Sequence, residues 1–267
     1  MKQNIQYYLY IYKKILIQDL KSKMSYRMDF VISLIGILFV NISGYISFWI
    51  IFQNFNTIMG WSYYEMLFLY GFSLIALTPM QCFFDNNWNL QSYVYSGDFI
   101  KFCFKPINIY FYFISESFDI KGLGQLVFGI CSLGIAWNKL QLDFSLLILS
   151  NLIVQLVSAS LFMIAISNFS AATAFFNKGG TGYIMVLATR FKDYARYPVT
   201  IFQGVFRFVF TFFIPIAFMA YYPAMFFLKD RNPSFLSYIT PLYGCIFFYL
   251  SYKFWMKGVE KCANTGT

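Results

Sequence analysis

Histidine is absent from this 267-residue chain, which excludes Ser-His-Asp and Cys-His catalysis, HExxH zinc sites and histidine proton relays. Charge is scarce too. Charged residues make up 12% of the chain, against about 25% in soluble domains, too few to solvate the surface of a soluble protein of this size. The five cysteines, Cys82, Cys103, Cys131, Cys245 and Cys262, include no CxxC pair, so neither a zinc nor a redox motif is indicated, and reduced thiols are expected. The glycines around 177–182 do not form a phosphate loop. Lys178 precedes them, whereas that loop needs GxxxxGK[ST] between a strand and a helix.

What is abundant is apolar: 59% hydrophobic and 23% aromatic residues, with 35 Phe and 22 Tyr. Charge-free runs cover 30–64, 66–84, 122–138, 144–177, 208–228 and 232–252. A helix crosses a bilayer with about 20 apolar residues. Polar residues trim the long runs: Gln53, Asn54 and Asn56 end the first near Phe52, the second starts near Ser62, and Ser167, Asn168 and Ser170 end the fourth. The expected fold is all-α and polytopic, with six transmembrane helices. The third is the weakest, short and carrying Gly122, Gly124, Gly129 and Gly134. The first is too long, and too far from the start of the sequence, for a cleavable signal peptide. With an inner N-terminus, only Lys139, Lys229 and Arg231 of the 20 Lys and Arg fall outside. The net charge of +9 is thus read as a topology signal with both termini cytoplasmic. Dispersed over four segments, it does not suit nucleic acid.

Residues 1–28 are expected to form an amphipathic interfacial helix, with Tyr8, Leu9, Tyr12, Ile15, Leu16 and Leu20 on one stripe and lysines largely off it. The transmembrane domain takes 29–256 and a cytoplasmic tail 257–267. A second inner segment, 85–121, reads as two short helices broken at Gly97 and Pro106. Gly97 permits a sharp turn, Asp98 favours a helix start, and Pro106 disfavours helix at Lys105. Such a bounded helix can serve as a docking surface, with Phe99 and Phe102 as apolar anchors and Lys101 and Lys105 at the rim; an ordinary polar turn fits the spacing as well. A third inner segment, 170–198, places Arg190, Lys192 and Arg196 at the start of the fifth span. Beyond it, Pro215 and Pro223, with Tyr221 and Tyr222 between them, suggest a fifth span that breaks near Tyr221–Pro223 at its outer end and dips back. Glu65 and Arg207 are placed near span ends, and no ionisable group at mid-membrane depth.

Gly97, Phe99 and Lys105-Pro106 after the second span, Tyr197-Pro198, then Pro215, Ala217, Phe218, Tyr221, Tyr222 and Pro223, and Gly258 and Gly266 in the tail together resemble the integral-membrane permease subunits of bacterial ATP-binding-cassette (ABC) type-2 exporters. Cys262 stands where that tail usually has an aromatic. The resemblance covers essentially the whole chain. It implies a half-transporter in the bacterial cytoplasmic membrane: two permeases, identical or related, form the path, and two ATPase subunits dock from the cytoplasm. It assigns 97–106 as the coupling helix and Pro215, Tyr221, Tyr222 and Pro223 to an outer gate. The chain carries neither a Walker A pattern nor an LSGGQ-like signature, so it is not expected to be an enzyme. ATP and Mg would sit on the partner, and no cofactor on this chain. The alternative is a secondary transporter or channel, which would favour internal repeats and intramembrane charges.

Overall fold

The computed structural model describes residues 5–25, 27–177, 181–229 and 231–265. Lys2, Lys178, the Gly179-Gly180 pair, Asp230 and Gly266 of the readings above lie outside them. The described chain is helical: α1 (Ile5–Ser25), α2 (Arg27–Asn54), α3 (Tyr63–Phe83), α4 (Leu90–Ser96), α5 (Ile100–Cys103), α6 (Ile109–Ser115), α7 (Lys121–Lys139), α8 (Leu146–Ala172), α9 (Thr181–Phe191), α10 (Gly204–Phe208), α11 (Tyr221–Ala224) and α12 (Phe235–Thr265). Val31–Asn54, Tyr63–Phe83, Leu146–Phe175 and Phe235–Cys262 are long and apolar enough to cross a membrane, and the bent pair Gly204–Phe212 and Ile216–Ala224 makes up to five.

α3 is the central helix. Ser62 and Glu65 cap its start reciprocally: the Glu65 amide donates to Ser62 Oγ (3.3 Å) and the Ser62 amide to Glu65 Oε2 (2.8 Å). From there to Phe83 its side chains are almost all buried. α7 lies antiparallel along it: Phe68 faces Trp137 at one end, and Gly122 faces Cys82 at the other. The contact is backbone on backbone. A Cβ on Gly71 would lie 2.6 Å from Leu133 N and 2.9 Å from Gly129 O. Gly122 and Gly129, two of the four glycines that made the third charge-free run look weak, therefore have a physical role, since small residues let two helices approach closely in lipid. Gly122, Gln125, Gly129, Ser132 and Ala136 form the buried face of α7.

α8 and α12 run parallel. Ser158 Oγ donates to the Thr240 carbonyl (2.6 Å), and Phe175 packs on Trp255 further along (5.3 Å). The bundle thus has a Trp61 end, where α3, α8 and α12 begin, and a Trp255 end.

The route from α8 to α12 corrects the expected fifth span. Phe175 sits at the Trp255 end. Yet Thr200 accepts a hydrogen bond from Trp61 Nε1 (2.9 Å), and Tyr197 packs on Phe48 (5.4 Å). The chain has already passed from one end to the other between 176 and 200. Tyr221 lies against Trp61 (5.9 Å), and Arg231 pairs with Glu65 (2.8 Å). The charge-free run 208–228 is therefore flanked on both sides by the Trp61 end and does not run from one end of the bundle to the other. Arg207, expected near the inner end of a span, belongs to this excursion, and Tyr197-Pro198 does not lie on the side of the Trp255 end.

Because the Gly71 contact leaves no room for a side chain, Gly71→Val must push α7 away from α3. Overpacking typically costs about 1–3 kcal/mol, so the detergent-solubilised variant should melt several degrees lower. At Gly134, where a Cβ would meet open space, the same change should leave melting alone. Equal melting of both variants would show that the two helices do not pack this closely.

Candidate functional site

The Trp255 end is built around one buried asparagine. Asn168, fully buried in α8, donates from Nδ2 to Tyr110 Oη of α6 (2.6 Å) and Ser251 Oγ of α12 (3.3 Å), and its Oδ1 accepts from Asn87 Nδ2 (2.9 Å). Asn87 also donates to Ser167 Oγ (2.9 Å), and Asn86 Nδ2 bonds the Phe113 carbonyl (2.6 Å). Ser167 and Asn168 were read as the polar end of a span, but α8 continues to Ala172. They are polar because they knit four segments together. A buried polar group left unpaired costs about 1–3 kcal/mol, so these bonds fix the Asp85–Asn89 turn, α6 and α12 as one body.

Below this network lies an aromatic cluster. Trp255, fully buried, touches Phe99 (5.9 Å), Tyr110 (5.0 Å), Phe113 (5.4 Å) and Phe175 (5.3 Å). Gly258, one of the tail glycines, leaves room for the Phe175 ring. α4 ends on Gly97 at φ +81°, a left-handed turn that glycine adopts without a steric penalty. The chain then folds Phe99 and Phe102 inward, 2% and 0% exposed. This corrects their expected role: they anchor the 97–106 segment into its own protein and present nothing to a partner. Lys101 is also engaged, pairing with Glu116 (2.8 Å) over the Tyr93 ring. Burial opposes its charge, yet the Glu116 carboxylate holds its pKa above the ordinary lysine value. What faces outward is Tyr95, Ile100 and Phe104, with Asp98, Lys105 and Pro106 beside them. These apolar side chains alternate with the buried ones, and no periodicity in so short a helix distinguishes the two sets.

α1 fastens to the same end. Asp19 Oδ2 accepts from the Phe118 amide (3.0 Å), Lys23 Nζ donates to the Phe118 carbonyl (2.6 Å), and the two pair with each other (2.8 Å). Tyr8 stacks edge-on against Phe111 (4.8 Å).

At the Trp61 end the expected gate residues separate. The break falls at Ile214–Pro215, where the helix pair bends by 63°, and again at Ala220 (φ −142°, ψ −44°). Tyr221, Tyr222 and Pro223 belong to the short α11 that follows. Pro223 sits in a first turn, where its missing N–H costs little; the break expected near Tyr221–Pro223 is met at Ala220, and a further one at Ile214–Pro215 was not expected. Tyr221 reaches Trp61, whereas Tyr222 turns inward on Phe218 (4.9 Å), which stacks on Tyr243 (4.2 Å). Arg231, pairing with the buried Glu65, also covers the Trp61 ring at 4.0 Å. Sequence reading missed this clamp, although the Ser-x-x-Glu capping signature at Ser62 was legible.

A third feature was also missed. Lys192, Asp193 and Arg196, assigned to an inner segment, line a cavity beside Tyr70, Ser73 and Leu77 of α3. Lys192 and Arg196 are partly buried there, and the Asp193 side chain is half exposed. No group of three or more metal-ligating side chains converges among the described residues.

A family model described as "ABC-2 family transporter protein" matches residues 38–266. No curated protein and no solved structure matches the chain.

Asp85, just past α3, offers a test of the Trp255 end. Burial first, and then the nearby Asp119 and Asp19 charges, raise its pKa above the usual aspartate value against the pull of Lys23 and Lys121. A raised folded pKa means a contribution to stability that is present below the unfolded value and lost as pH rises through the folded one. Asp85→Asn should therefore melt higher than the parent at pH 7.5, and the gain should vanish toward pH of about 4, near the ordinary aspartate pKa. A gain independent of pH would refute the burial of this charge.

Proposed function

The chain belongs to the ABC-2 family of transporter proteins, and from that premise we propose that it is the permease subunit of an exporter driven by separate ATPase subunits. Family membership makes it a multi-pass membrane permease of an ABC transporter, a transport component and not itself a catalyst. Permeases of this family generally pair with ATP-binding-cassette subunits. The charged Lys192–Arg196 turn beside α3, if it lies at membrane depth, is a feature a secondary transporter would favour; the family match speaks for an ABC permease.

Six crossings fit the proposal, with a changed fifth. α2, α3, α8 and α12 are four. α7 is the next, because it follows α3 over most of that helix's length. The sixth is 181–201, which starts after the Trp255-end residue Phe175 and reaches Trp61. The excursion 204–224 then enters from the Trp61 end and returns to it, and its broken backbone is covered by α8 and α12. The Trp255 end is cytoplasmic in this layout, both termini lie there, and α1 rests at the interface with its lysines toward anionic headgroups. The membrane is the cytoplasmic membrane of a bacterium, and a second permease, identical or related, completes the path.

The observation that carries the ATPase contact is the rigid mounting of 97–106. Tyr95, Ile100 and Phe104 form an exposed apolar patch on a segment whose other face is locked to Trp255, and through Asn168 to α6, α8 and α12. A docked ATPase that moved this patch would move three helices. ATP and Mg belong to that partner. Pro215, Tyr221, Tyr222 and Pro223 form the outer closure, in which Tyr221 on Trp61 is the movable contact.

Two experiments follow from the layout. Phe99→Ala removes a buried aromatic and should cost about 3–5 kcal/mol of stability, seen as loss of folded protein. Phe104→Ala should fold normally but weaken co-purification of the ATPase roughly thirtyfold if it is a binding hot spot. An unchanged ATPase association for Phe104→Ala together with Ile100→Ala would remove the docking surface from 97–106. In a cysteine-free background, Gln203→Cys, Asn56→Cys and Asn232→Cys should all label from outside with an impermeant thiol reagent, while Gly97→Cys should not. Labelling of position 203 only after permeabilisation would restore 208–228 as the fifth crossing.

A further inference from the structure

A cavity of about 140 Å³ lies within the bundle between α2, α3, α7 and the Lys192–Arg196 turn. Along α3 it extends from Tyr70 to Gln81, from the middle of the helix toward its Trp255 end. Its charges do not balance. Asp193 is committed to Arg196, whose Nε donates to the Asp193 carbonyl (2.8 Å) and whose Nη2 pairs with Asp193 Oδ1 (3.3 Å). Lys192 makes no ion pair among the described residues. The side-chain amides of Asn41 and Gln125 also line the cavity and form no hydrogen bond among the described residues.

The cavity is shaped to keep its cations in place. Tyr70 Oη donates to the Asn41 carbonyl (3.1 Å), and the Arg196 guanidinium lies over the Tyr70 ring at 5.4 Å. Both fit because residue 44 is glycine: a Cβ there would stand 2.5 Å from Tyr70 Oη and 3.2 Å from Arg196 Nη1. A partly buried ammonium whose neighbouring carboxylate is already paired with an arginine is costly, and such groups mark ligand pathways. Donors outnumber acceptors around the space, and the strongest bonds a lysine and an arginine make are to carboxylate or phosphate. Beside the amide oxygens of Asn41 and Gln125, Gln81 Oε1 is a further acceptor, buried without a hydrogen-bond partner.

We propose that this cavity binds the anionic group, a carboxylate or a phosphate, of a ligand held within the membrane-spanning bundle. Lys192 supplies the charge, Asn41 and Gln125 supply neutral donors, and Arg196 closes the wall nearest α2. Gln81 Oε1 receives a hydrogen bond from a hydroxyl or amide of the same ligand. The group comes either from an amphiphile, entering headgroup first, or from a free anion. The inference rests on the membrane-spanning reading of the bundle but not on the ATPase contact, so binding is measured on the permease alone.

The full-length protein in nanodiscs of neutral phosphatidylcholine is titrated with dodecyl phosphate, dodecanoate, dodecanol and dodecyltrimethylammonium, with intrinsic fluorescence as the readout. The two anions should bind at least about tenfold tighter than the alcohol or the cation, the lower end of what a charge-assisted hydrogen bond contributes. Lys192→Gln should abolish that preference and Lys192→Arg should keep it, with thermal melting checking that each is folded. Competition by inorganic phosphate would assign the site to free anions, and its failure to compete would assign it to amphiphiles; either supports an anion site. Equal affinity for all four amphiphiles, or a preference that survives Lys192→Gln, overturns the proposal.

Discussion

Asn168 is the residue on which the arrangement of the Trp255 end depends. In hydrocarbon no water is available to satisfy a buried amide, so its partners must come from the protein. Asn168 takes them from three segments distant in sequence: Asn87, Tyr110 and Ser251. Each bond taken singly contributes about 1 kcal/mol. Together they remove the freedom of the 84–120 segment to swing relative to α8 and α12. The aromatic cluster beneath then adds area without having to supply direction. Hydrogen bonds specify the register, and Trp255, Phe113 and Phe99 fill the space that the register defines.

The opposite end solves a different problem. Glu65 is 8% exposed, and a buried carboxylate is tolerable only when paired and hydrogen-bonded. It has both: the capping bonds of Ser62 and the guanidinium of Arg231. Arg231 lies on the face of Trp61, whose indole N–H is spent on Thr200. One carboxylate therefore holds together the start of α3, the end of the 181–201 passage and the return from the 204–224 excursion. Lys229 with Asp143, at 48% and 74% side-chain exposure, is a solvated surface pair of the kind that contributes little. The two pairs are alike on a sequence and differ physically through burial alone.

This difference explains what could be read in advance. Charge-free runs located α2, α7, α8 and α12, because lipid excludes charge from most of a lipid-facing helix, and α3, because a charge buried in protein is costly as well. The same rule failed for the fifth passage. Residues 181–201 carry Arg190, Lys192, Asp193 and Arg196, so no charge-free run could find them, and the apolar run 208–228 took their place. Here the charges border a polar cavity beside α3, an environment the sequence does not announce. Phe99 and Phe102 were misjudged for a related reason. Their type suits a partner's groove or an internal cluster equally, and only the inward turn at Gly97 decides. The break at Pro215 rather than Pro223 follows from position: proline disrupts a helix interior but is accepted in a first turn.

The two ends are coupled through geometry rather than through a single chain of contacts. α8 and α12 run parallel and are tied at two levels, by Ser158 to Thr240 and by Asn168 to Ser251. They therefore move as a pair when either is displaced at the Trp255 end. Phe162 and Tyr243, halfway along this pair, carry Phe218 of the excursion. Phe218 in turn holds Tyr222, which is adjacent to the Tyr221 ring resting on Trp61. α3, by contrast, is held to α7 by close backbone packing and to Arg231 by charge, and shares no such ladder with α12. The Trp255 end and the Tyr221–Trp61 contact are thus joined through the α8–α12 pair, while α3 and α7 are joined to each other by backbone packing. The Tyr221–Trp61 contact, aromatic and half-buried, is where the excursion meets the start of α3, beside the direct packing of α3 on Leu152, Leu156 and Ala159 of α8.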